Sequence, residues 1–271
     1  MTAHAPLDGP GLATRACAVL TTADPLAKAA LGRAVAADWF ADRIDSIGAA
    51  VPPDRPARPE RPQLMAPRNV PKRKLGRGVA GRVALYHALA HIELNAIDLA
   101  WDIVARFAGL FPRAFAEDWV KVADDEARHF QMLSARLGAL DAAYGDLPAH
   151  DGLWEASMET AHDPLARLAI VPMVLEARGL DVTPAMIVRL ERAEDEEGAA
   201  LLRVIYEEEI AHVAAGRRWF EHLCAERGLE PVETWRGLVA RHFRGALKPP
   251  FNRPARDLAG FPPSYYEPPL T

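Results

Sequence analysis

The chain has 271 residues, 50% of them hydrophobic and 25% charged, with a net charge of −5. That length allows one substantial core with extensions, and the composition is that of a folded protein rather than a disordered one. The acidic balance leaves no general footprint for nucleic acid, Cys17 and Cys224 are too few for a disulfide framework, and no apolar run approaches the ~20 residues that span a bilayer.

Met1 to Pro10 lacks the charged start and apolar stretch of a signal peptide, so a cytoplasmic protein is expected. The first convincing helix runs from about Asp24-Pro25 to Ile44, with Asp24 as its cap and Pro25 in its first turn. From Val51 to Pro71 seven prolines forbid helix and favour an extended strap that lies along the rest of the protein. A local basic run (Arg68, Lys72, Arg73, Lys74, Arg77 and Arg82) is most simply a solvated face of that strap.

From Gly78 onward the pattern is helical. One helix ends at Phe107 before Gly109 and Pro112, and a second runs from Pro112 to Leu137, closed by Gly138. A longer connection follows, with a short helix near Leu153 to Thr160. A third helix opens at Asp163-Pro164 and ends near Gly179, and Thr183-Pro184 starts a short helix to about Ala193. The fourth long helix spans about Asp195 to Arg227 and stops at Gly228. A last helix, roughly Pro231 to Phe243, precedes a tail whose Phe251, Phe261, Tyr265 and Tyr266 should pack on the core rather than face water. Strand signals are nearly absent, so the fold class is all-α. Residues 1–77 read as extension and strap, 78–228 as the helical core, and 229–271 as helix and tail.

A repeat carries the chemistry. Glu93 is followed by Glu126 and His129, and adding 83 to each number gives Glu176, Glu209 and His212. A Glu and a His three apart share one helical face and can reach one ion. A lone Glu and a Glu-x-x-His from each half form the ligand set of a carboxylate-bridged di-iron or di-manganese bundle. Carboxylates among Ala, Leu, Ile and Val need a cation or hydrogen bonds to offset their desolvation. Glu159 and His162 have the same local spacing but no mirrored counterpart and precede a chain break, so they are expected to bind no metal. Tyr206 shares the face of Glu209, as a ligand partner, a substrate contact or plain core. Leu133 and Gly216 stand one turn after the two histidines, which argues against a radical-storing tyrosine. His87 and His91 fall on another side of their helix from Glu93 and read as satisfied interhelical or surface histidines. Asp98 and Asp181 are related by the same shift and lie off the ligand face, and Arg178 can pair with Asp181.

Asp125-Glu126-Ala127-Arg128-His129 matches the Asp-Glu-x-Arg-His signature of many ferritin-like di-iron proteins, and Glu208-Glu209-Ile210-Ala211-His212 matches it less fully. With His91-Ile92-Glu93, Glu176 to Asp181, His212 to Gly216 and Pro250-Phe251-Asn252, most of the chain resembles an uncharacterised bacterial ferritin-like family catalogued as domain of unknown function 455. The resemblance implies a ferritin-like four-helix bundle with one metal on Glu93, Glu126 and His129. A second would sit on Glu176, Glu209 and His212, with Glu126 and Glu209 as bridges. It also implies Asp125 behind His212 and Glu208 behind His129.

The cofactors expected are two metal ions, iron first and manganese second. The expected function is oxygen or peroxide activation to oxidise or hydroxylate a substrate, with ferroxidase or non-catalytic iron handling as the alternative. The partners expected are a small-molecule or modified-nucleotide substrate and an electron donor. The acidic balance argues against nucleic acid, no membrane is involved, and a homodimer is compatible with the chain.

Overall fold

The computed structural model describes residues 11–70 and 78–267. The described residues are helical, with no β-strand among them and one isolated bridge between Leu64 and Ala149. The all-α class is therefore what the structure has. By backbone contacts the described residues form two compact units, one of residues 11–70 with 78–151, the other of residues 152–267.

The first unit begins with helix α1, Leu12–Leu20, which sequence patterning missed. Its N-terminal residue Gly11 offers no side-chain cap; Leu12 and Ala13 instead donate to the carbonyls of Ser46 and Ile47. Helix α2, Pro25–Phe40, has the expected cap, with Asp24 accepting from the Ala27 amide. It ends before Ile44 because Asp42 turns into the left-handed region. The strap then runs extended except for a single turn at Pro67–Asn69. It is tied down by Ala57 donating to Leu20, Met65 to Ala149, and Arg106 to the Pro53 carbonyl. Of the basic run, Lys72, Arg73, Lys74 and Arg77 lie outside the described residues, as do Met1 to Pro10 and Pro71.

Helices α3, Val79–Phe107, and α4, Arg113–Gly138, form the heart of this unit. From Leu85 to Phe107 nearly every face of α3 is covered, which is why its sequence shows little amphipathic contrast. Asp98, fully buried, accepts from Lys28 of α2 and from Arg58 of the strap, and Arg58 also donates to Asn95. The strap is thus pinned to α3 by one acid shared between two cations.

The second unit holds α5 (Gly152–Met158), α6 (Pro164–Ile170), a π-helical turn at Val171–Glu176, and α7 (Ala177–Glu191). It continues with α8 (Glu196–Arg227), α9 (Pro231–His242), α10 (Arg253–Leu258) and α11 (Pro263–Tyr266). Asp163 and Asp195 cap α6 and α8, and Gly228 closes α8 in the left-handed conformation at φ 64°. One expectation fails here. The third long helix does not end near Gly179, and Pro184 does not start a new one; Pro184 lies inside α7. A helical proline leaves the carbonyl four residues back without its amide. That carbonyl, Leu180 O, accepts from the side-chain amide of Asn252 at 2.9 Å, so the helix continues through the proline.

The tail packs on its own unit: Phe261, Tyr265 and Tyr266 are buried, Phe261 and Tyr265 meet the Trp235 ring edge-on, and Phe261 makes tilted ring contacts with both tyrosines, as Phe251 does with Tyr266. Beneath them Arg256 makes a two-pronged ion pair with Asp181 (2.9 and 2.8 Å). Arg178 lies 3.5 Å from the same acid.

The π turn fits against α8 only because residue 216 is glycine. A Cβ there would stand 2.3 Å from the ring carbons of Pro172. Gly216→Ala should therefore destabilise the protein by about 1–3 kcal/mol, the usual range for overpacking. A lowered midpoint in urea denaturation is the expected result, and an unshifted midpoint would remove the steric account of the turn.

Candidate metal centre

Glu93 comes from the middle of α3, and Glu126 and His129 from one face of α4. Because α3 and α4 pack side by side, the three reach each other inside the first unit. They are 4%, 0% and 0% exposed. His129 Nδ1 stands 3.3 Å from Glu126 Oε2 and 3.6 Å from Glu93 Oε2, and one ligand atom from each residue lies within 4.8 Å of the others.

Oε2 of Glu93 is buried and makes no hydrogen bond. Burial first, and the charge of Glu126 second, push the Glu93 carboxyl well above the usual carboxylate range, while His129 pulls it back. Two carboxylates and an imidazole in a dry site, with one oxygen left over, fit a divalent cation in place of the shared proton.

In the second unit Glu209 and His212 share a face of α8, with His212 Nδ1 3.6 Å from Glu209 Oε2. The His212 side chain is 1% exposed and that of Glu209 12%. Glu176 is the last residue of the π turn, which packs on α8, and one of its carboxylate oxygens is buried. Such turns are uncommon and cluster at functional sites. Nothing in the sequence repeat announced it, since the counterpart Glu93 sits in regular α-helix.

The remaining candidates separate cleanly. Asp125 is buried, and its carboxylate is held by Lys121 and Arg128 of its own helix. Glu208 is half-buried. Tyr206 accepts from the side-chain amide of Asn252 at 2.8 Å, a contact no local pattern could have announced. Glu159 pairs with Arg244, and His162 lies against the ring of His242, so neither joins a cluster of potential ligands among the described residues. His87 accepts from the amides of Gly145 and Leu147. His91 Nε2 stands 2.8 Å from the His150 carbonyl, which makes it the protonated nitrogen, and Nδ1 accepts from the Tyr144 hydroxyl at 2.8 Å. Both histidines are buried and engaged inside the fold, His91 through both ring nitrogens and His87 through Nε2.

His91 provides a contrast with the cluster of Glu93, Glu126 and His129. Burial pushes its imidazole down to about 4. The unfolded chain binds this proton below the ordinary pKa of ~6.5, so stability is full above that pH and falls as pH drops toward 4, by about 3 kcal/mol in all. His91→Gln should keep the wild-type metal content at pH 7 and show a shallower loss of stability between pH 6.5 and 4. Urea midpoints across that range, beside elemental analysis, test it; an unchanged acid slope would show that His91 is not the group responsible.

Among the described residues no helix is long and apolar enough to cross a membrane. Residues 21–267 match a family model described as a protein of unknown function, DUF455. A relative from Haemophilus influenzae, itself described as an uncharacterized protein, is 39% identical over 229 residues, covering 81% of this chain and 78% of its own. No solved structure matches the chain. With nearly the whole helical chain inside the family match, this protein belongs to the DUF455 family.

Proposed function

We propose that the two Glu, Glu-x-x-His sets together hold a pair of metal ions, iron or manganese, in a ferritin-like four-helix bundle formed by residues 78–228. In this reading residues 1–77 and 229–271 pack around the bundle. The observation that carries it is the dry cluster of Glu93, Glu126 and His129, in which Oε2 of Glu93 is buried with no hydrogen bond and the two carboxylates repel each other, a repulsion that a cation would relieve. The 83-residue repeat supports extending the same chemistry to Glu176, Glu209 and His212.

Bound at such a site, a di-iron pair supplies the oxidising power for oxygen or peroxide chemistry on an organic substrate. The protein's own part is to fix the carboxylates, exclude water from them and keep the imidazoles neutral for ligation. Glu126 and Glu209 are the bridging carboxylates of this reading, and Asp125 and Glu208 orient the opposite histidines. The substrate is a small molecule or a modified nucleotide, and a separate donor supplies electrons. Cys17 and Cys224 are both free thiols, in keeping with a reducing cytoplasm.

Protein purified without oxygen should carry two ions per chain by elemental analysis and change its optical and Mössbauer spectra when oxygen is admitted. Glu126→Ala should lose both ions while remaining folded, because removing one carboxylate also relieves repulsion around Glu93. Two ions retained in that variant would refute the ligand assignment. Oxygen consumed only when ferrous iron is supplied in excess, with no spectral intermediate and no substrate dependence, would instead indicate iron handling.

A further inference from the structure

The tail reaches the second ligand set through one residue. Asn252 caps the short helix α10 with its side-chain oxygen, accepting from the Ala255 amide. Its side-chain nitrogen faces the other way and donates twice: to Leu180 O at 2.9 Å and to Tyr206 Oη at 2.8 Å. Leu180 lies one turn beyond Glu176, and Tyr206 lies three residues before Glu209 on the same face of α8. The backbone amide of Asn252 donates to Asp181, and Arg256 holds the same carboxylate from the next turn of the tail.

Three features make this more than packing. The Leu180 carbonyl is the one that Pro184 opens, so α7 has no internal means of closing itself at that point. The π turn ending in Glu176 lies immediately upstream, where the helix is already irregular. And Asn252 spends both hydrogens of one amide on the two helices that carry Glu176 and Glu209, which fixes how far apart those helices can stand.

We infer that Asn252 is a positioning residue for the second metal, clamping the Glu176 and Glu209 helices at ligating separation; this rests on the dinuclear reading above. It acts through Leu180 and Tyr206 and touches no ligand itself. The first ligand set, on α3 and α4, does not depend on it.

Asn252→Asp removes the donation to α7: the carboxylate can still cap α10 and accept from the Tyr206 hydroxyl, but it has no hydrogen to give the Leu180 carbonyl. Tyr206→Phe removes one acceptor and leaves the α7 contact. Metal-free protein titrated with Mn²⁺ by calorimetry and by electron paramagnetic resonance should take two ions in the wild type. In Asn252→Asp the ion held by Glu176 and His212 should bind roughly 10- to 100-fold more weakly, the usual loss when a residue behind a ligand is removed, and the first ion, which shares only the bridge Glu209 with these helices, clearly less so. Tyr206→Phe should show a smaller loss in the same order. Hydrogen–deuterium exchange of metal-free Asn252→Asp should be faster across residues 177–188, with the residues of α3 and α4 unaffected.

Wild-type affinities for both ions in the two variants would overturn the positioning role, whatever the exchange data show. Unchanged exchange across 177–188 would overturn the clamp without reference to metal. Weakening of both ions equally would mark Asn252 as a general stabiliser and overturn the proposal too. A wild type that takes up neither Mn²⁺ nor Fe²⁺ would overturn the dinuclear reading, and the positioning role with it.

Discussion

Glu93 and Glu126 meet beside one imidazole in an interior closed to water, and their mutual repulsion sets the terms for the helices around them. Uncompensated, each buried anion would cost several kcal/mol, more than a marginally stable fold can absorb twice. The pair persists with a proton shared among the three groups, or with a cation. Within this cluster Oε2 of Glu93 is buried without a hydrogen-bond donor, unlike buried ion pairs such as Lys28 with Asp98, where the carboxylate meets its cation directly.

The two units solve a second electrostatic problem in parallel. Asp98 and Asp181, each five residues beyond the lone Glu of its half, are both fully buried at the carboxylate and both neutralised from outside the repeat. Asp98 takes Lys28 and Arg58; Asp181 takes Arg256 and the Asn252 amide. Extension and tail are therefore counterparts, each supplying the charge that lets an acidic helix be buried. Replacing either acid alone would strand its cations, which is why such pairs are harder to change singly than together.

Much of the helical plan was legible because it depends on local chemistry. Asp24, Asp163 and Asp195 accept the amides that their positions demand, and Gly228 takes the left-handed stop. The cluster of Glu93, Glu126 and His129 was legible because a Glu and a His at helical spacing share one face, and their repeat at a fixed offset set them apart from an isolated pair such as Glu159 and His162. What escaped was set by partners far along the chain. Helix α1 lacks a side-chain cap and borrows carbonyls from Ser46 and Ile47, so no start signal stands in front of it. Thr183-Pro184 reads as a helix start, and only Asn252, 72 residues on from Leu180, lets α7 pass through it. The π turn is likewise invisible in sequence, because its room comes from Gly216 on another helix.

The parallel between Asp98 and Asp181 breaks in one respect, the direction from which help arrives. Lys28 and Arg58 precede their acid by 70 and 40 residues, so both are translated before it. Arg256 follows its acid by 75 residues. A chain emerging N-terminus first can complete the first unit during synthesis. Until its tail has been translated, the second has only Arg178 beside its acid and holds an open helix carbonyl. Translation itself thus sets an order of maturation: the half built on α3 and α4 is finished while the ribosome is still at work, and the half built on α7 and α8 only near release.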